Sequence, residues 1–151
     1  MPIVELTSDD ALLVENYGLH WLEMGIGTDD TRADWRAEAH RFLVDARKHA
    51  GLASFMAKVD GEPVGTACCH ILPRAFPAFR KGDAARIGYV WGVYVRPEHR
   101  GIGVGAMLVS ACMSHLKVSG CGRVLLHAGE RSASLYGRMG FMPTEEYSAA
   151  L

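Results

Sequence analysis

Residues 95–107 read VRPEHRGIGVGAM, an arginine and three glycines set between two apolar runs. Upstream, IGYVWGVYV at 87–95 reads as a strand. Downstream, Val104, Met107, Leu108, Ala111 and Cys112 recur at helical spacing. Glycine costs about 1 kcal/mol per residue in a helix relative to alanine, so three of them at a helix start need a reason. A helix N-terminus presents unpaired N–H groups and partial positive charge, and so binds phosphates. Glycines let a ligand approach the backbone closely, and Arg100 adds a charged donor suited to phosphate. The alternative is a turn that only reverses the chain, for which one glycine would serve.

Two phosphate-binding patterns are excluded. The P-loop needs Lys-Ser/Thr after its glycines, and none follows here. The dinucleotide fingerprint G-x-G-x-x-G would need glycine at Leu108 or at Ala106. What is left, Arg100-Gly101-Ile102-Gly103-Val104-Gly105, fits Q/R-x-x-G-x-G/A after a strand ending Val-x-Pro. It resembles the pyrophosphate loop of the GNAT superfamily, the acetyl-CoA-dependent N-acetyltransferases. Downstream, Leu135-Tyr136-Gly-Arg-Met-Gly140-Phe141 is similar to that family's L-Y-x-x-x-G-F segment, at the expected interval. The motifs cover residues 87–141; over 1–72 only the order of elements carries the resemblance.

The resemblance implies an α/β fold, a single layer of mixed, mostly antiparallel strands flanked by four helices. It implies transfer of the acetyl group of acetyl-CoA, as co-substrate, to a primary amine of a small molecule or peptide by direct attack in a ternary complex. The backbone of Arg100, Gly101, Ile102, Gly103, Val104, Gly105 and Ala106 then surrounds the pyrophosphate. Val93, Tyr94 and Val95 pair with the pantetheine arm like an added strand, and a backbone N–H there stabilises the thioester oxyanion. Gly88 and Gly92 fit either a bulge beside that strand or local packing.

Tyr136 corresponds to the tyrosine that protonates the departing thiolate in many relatives; the other reading is that its ring only anchors the sulfur. Relatives often carry Asn seven residues before this tyrosine, where this chain has Gly129. A proton acceptor for the attacking amine is needed, and Glu23, His70 or a water relay are the candidates. Acceptor recognition is expected from residues 24–31 and 73–85, the second containing Arg74, Phe76, Phe79, Arg80 and Lys81. Family habit and the aromatic loop at 76–79 suggest a homodimer. Two other readings stand beside the enzyme: a non-catalytic acyl-CoA sensor, and a phosphate-binding module unrelated to CoA.

The elements that must position these residues follow from pattern. Ser8-Asp9-Asp10 opens a helix whose face carries Val14, Tyr17, Trp21 and Met24. A second helix, capped at 29–31, carries Trp35, Ala39, Phe42, Leu43 and Ala46. Residues 52–59 and 64–72 form a hairpin around Asp60-Gly61. Helix 102–118, strand 123–128 and helix 132–139 follow, and Gly140-Phe141 begins a last strand. At 151 residues the chain reads as one domain, 1–151. With 16 Lys plus Arg against 17 Asp plus Glu, nothing points to nucleic acid or an anionic membrane. No run is long enough to span a membrane, and MPIVELTSDD lacks the segments of a signal peptide. The four cysteines have no C-x-x-C spacing, and Cys112 with His115 is too small a set for zinc. Reduced thiols, no metal and a cytoplasmic location are expected.

Overall fold

The computed structural model describes residues 1–74, 77, 79, 81, 85–144 and 146–151. Five strands form one sheet in the order β1-β2-β3-β4-β5: β1 is Ile3–Leu6, β2 Ala53–Val59, β3 Glu62–Ile71, β4 Ile87–Val95 and β5 Arg123–Leu125. Neighbours run antiparallel from β1 to β4, and β5 joins β4 in parallel. Four α-helices flank the layer: α1 (Asp10–Glu23), α2 (Trp35–His49), α3 (Val104–Val118) and α4 (Ala133–Arg138). This is the mixed layer the sequence predicts.

Local chemistry explains the boundaries. Asp9 accepts the Leu12 N–H at 3.0 Å and so caps α1. The β2–β3 hairpin turns at Asp60 (φ 51°) and Gly61 (φ 86°), the left-handed pair a two-residue turn demands. The helix α2 starts at Trp35, later than the expected cap, behind an Arg32–Asp34 ion pair at 2.9 Å.

The sheet has a core on each face. Val104, Leu108, Val109, Cys112 and Leu116 of α3 pack on Ala57, Val64, Cys69 and Val90. On the other face, Leu13 and Val14 of α1 and Leu43 and Ala46 of α2 pack on Leu52 and Cys68. The adjacent Cys68 and Cys69 thus point to opposite faces, and all four cysteines are free. Burial pushes the Cys68 thiol up to about 12, so it stays protonated.

Three elements differ from expectation, one being β5, which ends at Leu125 where a strand to residue 128 was expected. The strand β1 was not predicted; it is a four-residue edge strand whose Ile3 and Leu6 remain exposed, so it has little apolar alternation to show. No strand follows α4 among the described residues. There the Phe141 N–H bonds Tyr136 O at 3.0 Å and the Gly140 N–H bonds Gly137 O at 3.1 Å. With Gly140 at φ 89°, this is a Schellman end to the helix. No helix among the described residues is long and apolar enough to cross a membrane.

The α1–α2 pair is tied by Asp10 and Arg47, with Nη1 donating to Oδ2 at 2.9 Å. The Arg47 hydrogen bonds hold the Asp10 carboxyl below its usual range. Arg47→Met leaves the largely covered Asp10 carboxylate with only the longer His40 contact, at 3.6 Å, and should cost about 1–3 kcal/mol at pH 7. A depressed carboxylate contributes stability above its unfolded pKa near 3.8 and loses it as pH falls through the lower folded value. The gap between wild type and variant in thermal unfolding should therefore narrow below about pH 4; a gap that stays constant would exclude this pair as its source.

Candidate active site

Strands β4 and β5 pair only at Ile87↔Arg123, Gly88↔Val124 and Tyr89↔Leu125. Beyond that point residues 90–95 have no strand partner on this side among the described residues, and the main-chain groups that face it, apart from the Val95 carbonyl, remain open to a ligand. On the other side the register slips: Thr66 faces Tyr94 but Cys68 faces Trp91, leaving Gly92 and Val93 opposite Ala67. Gly92 sits at φ 60°, so the backbone needs a glycine at this bulge. The bulge resets the alternation. Trp91 packs toward α1 and α2, whereas Val93 and Val95 pack against the α3 core. Gly88 answers to packing instead, since a Cβ there would lie 2.6 Å from Leu116 Cδ1.

A cleft of about 1620 Å³ runs along this free edge. At one end lies the glycine loop. Gly101 (φ 80°) and Gly103 (φ 90°) take left-handed conformations, and no atom lies within 4 Å of where a Cβ would stand. Gly103 is the N-cap of α3 with no side-chain cap, so the first-turn amides of Val104, Gly105 and Ala106 border the cleft with no helical acceptor. Ile102 does not line it and is 59% exposed.

Arg100 is arranged differently from a free phosphate donor. Its Nε donates to Val95 O at 2.8 Å, and its Nη2 donates to both carboxylate oxygens of Glu23, at 2.8 and 2.9 Å. The guanidinium also lies 5.6 Å from the centre of the Tyr94 ring. The loop is therefore tied to the end of α1, and the Val95 carbonyl is already in use.

Tyr136 lines the cleft from α4 and is only 7% exposed. Burial raises the phenol above its ordinary pKa, so the hydroxyl stays protonated at neutral pH. Its ring meets Phe141 edge-on at 5.8 Å. Gly129 supplies main chain: its carbonyl accepts the Ser132 and Ala133 amides at 3.0 and 3.1 Å and the Ser132 hydroxyl at 3.1 Å. A side chain at 129 would start 3.8 Å from Met24 Cε.

The two named base candidates are both engaged. Glu23 is the partner of Arg100. His70 Nδ1 accepts the Trp91 indole N–H at 2.9 Å; indole only donates, so the neutral ring carries its proton on Nε2 and has no lone pair left to offer. Burial also lowers the His70 pKa. Of the expected recognition segments, Met24 lines the cleft. Phe76 and Arg80 lie outside the described residues. Phe79, named for dimerisation, is 97% exposed.

Sequence reasoning missed an aromatic wall at the other end of the cleft. Tyr17, Trp21 and Phe42, read as helix-face core residues, line it with Tyr89 and Trp91. Tyr89 also hydrogen-bonds His127, to which no role was assigned. The alternation of Tyr89 and Trp91 just before Gly92 was the available signal. Among the described residues no group of three His, Cys, Asp or Glu side chains could hold a metal ion.

Known proteins share this fold. A predicted acetyltransferase of Clostridium acetobutylicum, solved with acetyl-CoA, superimposes with a TM-score of 0.85 at 21% identity, covering 100% of this chain and 96% of that one. A GCN5-related N-acetyltransferase of Ralstonia eutropha gives 0.79 at 22% identity, over 100% and 99%. In sequence, glucosamine 6-phosphate N-acetyltransferase of Trypanosoma brucei brucei is 31% identical over 105 residues, 68% of each chain. The acetyltransferase (GNAT) family pattern matches residues 15–141. With a split sheet, a glycine loop on the helix it caps and a family match across most of its length, the chain belongs to the GNAT acetyltransferases.

Proposed function

We propose that the protein transfers the acetyl group of acetyl-CoA to a primary amine of a small molecule or peptide by direct attack in a ternary complex. The carrying observation is the free edge of β4, which runs from the Gly92 bulge to the glycine loop with Tyr136 across from it. From Val95 to Trp91 that edge is roughly 13 Å long at about 3.3 Å per residue. An extended amide-bearing arm can hydrogen-bond along it while a pyrophosphate meets the amides of residues 104–106. The Val95 carbonyl is held by Arg100 and the Tyr94 main chain faces β3, so the arm relies on Val93 and the Val95 N–H.

The chain's groups then divide the reaction. A β4 amide beside the bulge stabilises the oxyanion as the amine nitrogen bonds the carbonyl carbon. The C–S bond breaks and the sulfur takes the proton of the Tyr136 hydroxyl. The amine's surplus proton leaves through water, because Glu23 and His70 are already committed. Tyr136 is reprotonated from the same water.

Calorimetry with acetyl-CoA, followed by thiol release against a panel of amines, tests the reading. Binding with a 1:1 stoichiometry and turnover of at least one amine are expected. A chain that binds no acetyl-CoA would end it, and binding without any turnover would favour the sensor.

A further inference from the structure

We propose that the acceptor is an arylalkyl primary amine, whose ring stacks in the aromatic wall centred on Trp91 at the bulge end of the cleft. This deepens the reading above and rests on it. Trp91 precedes Gly92, so the wall lies beside the part of β4 where the acetyl group would sit. Its ring centre is 5.4 Å from Phe42 and 5.7 Å from Tyr17, which in turn is 6.1 Å from Trp21. Phe42 is 48% and Trp21 40% exposed although both line a concavity. Such large apolar rings inside a cleft favour an apolar body that covers them.

Several of the charged groups along the cleft are already committed, which disfavours the other acceptor chemistries. Among the described residues no lysine lines the cleft. Arg32 is committed to Asp34 and Glu38, and Arg100 to Glu23. Arg131 and Arg138 flank α4, whose Leu135 adjoins the glycine loop at Gly105. His20 and His70 are held neutral by burial. A phosphorylated amine bound at the wall would set its dianion against ring faces, and its counter-charge would have to come from Arg131 and Arg138 at α4. A protonated polyamine would find Glu23 and Glu38, two of the three carboxylates lining the cleft, already paired, which leaves Glu130 alone for its several ammonium groups. An ammonium on a short alkyl arm instead gains from the ring faces before it loses its proton.

The test uses 2-phenylethylamine, glucosamine 6-phosphate and spermidine as acceptors for the full chain, with acetyl-CoA binding measured separately. The value of kcat/KM for 2-phenylethylamine should exceed that for either other amine by at least about a hundredfold. Phe42→Ala and Trp21→Ala, both at half-exposed positions, should each raise KM for 2-phenylethylamine about tenfold and leave the acetyl-CoA Kd within about twofold. Faster turnover of glucosamine 6-phosphate or spermidine, or an unchanged KM in both variants, overturns the inference. So does acetyl-CoA binding with no turnover of 2-phenylethylamine. Loss of acetyl-CoA binding by the wild type would instead bring down the transferase reading itself.

Discussion

Tyr136→Phe should lower kcat by at least about tenfold while acetyl-CoA affinity stays close to wild type. The ring and its edge contact with Phe141 remain, so folding and the shape of the cleft are preserved. What disappears is the hydroxyl proton that the proposed mechanism gives to the departing sulfur. General acid catalysis contributes about 10²–10⁴-fold, and water recovers part of it, which sets the lower bound. The raised pKa of the buried phenol sharpens the expectation. A phenol that ionises above its ordinary value keeps its proton across the working pH range, and the alkaline limb of kcat should shift when that proton is gone. Steady-state kinetics with the best amine of the panel, beside calorimetry with acetyl-CoA, separate the roles. Normal kcat with weakened acetyl-CoA binding would make Tyr136 an anchor and remove it from the chemistry.

Gly103→Val should weaken acetyl-CoA binding at least tenfold, about 1.4 kcal/mol or more. The reason is conformational as well as steric. Gly103 caps α3 at φ 90°, where an L side chain is strained and a β-branched one most of all. No protein atom lies within 4 Å of the missing Cβ, so the space belongs to whatever approaches the loop. Relief of the strain would rotate the amides of residues 104–106 away from the cleft. The turn is exposed and α3 is held by Leu108, Cys112 and Leu116 far from it, so cooperative unfolding should persist. Unchanged affinity in calorimetry would remove this loop from the cofactor site.

The amino-acid sequence determined by itself those parts of the molecule whose physics is local. A helix start with three glycines, an Asp-Gly hairpin and apolar residues at strand or helix spacing act within a few residues, so β2, β3, β4 and α1–α4 were legible. The faces taken by Cys68 and Cys69 follow from strand geometry in the same way. Weak local signals were not legible: β1 is short and half exposed, and the residues after α4 end a helix where a strand was expected. What only the tertiary structure decided is everything that depends on residues far apart in the chain. The tie of Arg100 to Glu23 spans 77 positions, and it turns an expected phosphate donor and a base candidate into partners. The indole of Trp91 takes the lone pair of His70 because β3 and β4 set them side by side. Tyr17, Trp21 and Phe42 have the spacing of core residues, and spacing cannot distinguish burial in a core from exposure in a cleft. That distinction depends on how far β5 runs beside β4. It leaves after Leu125, and the rings line the cleft that runs along the edge left free.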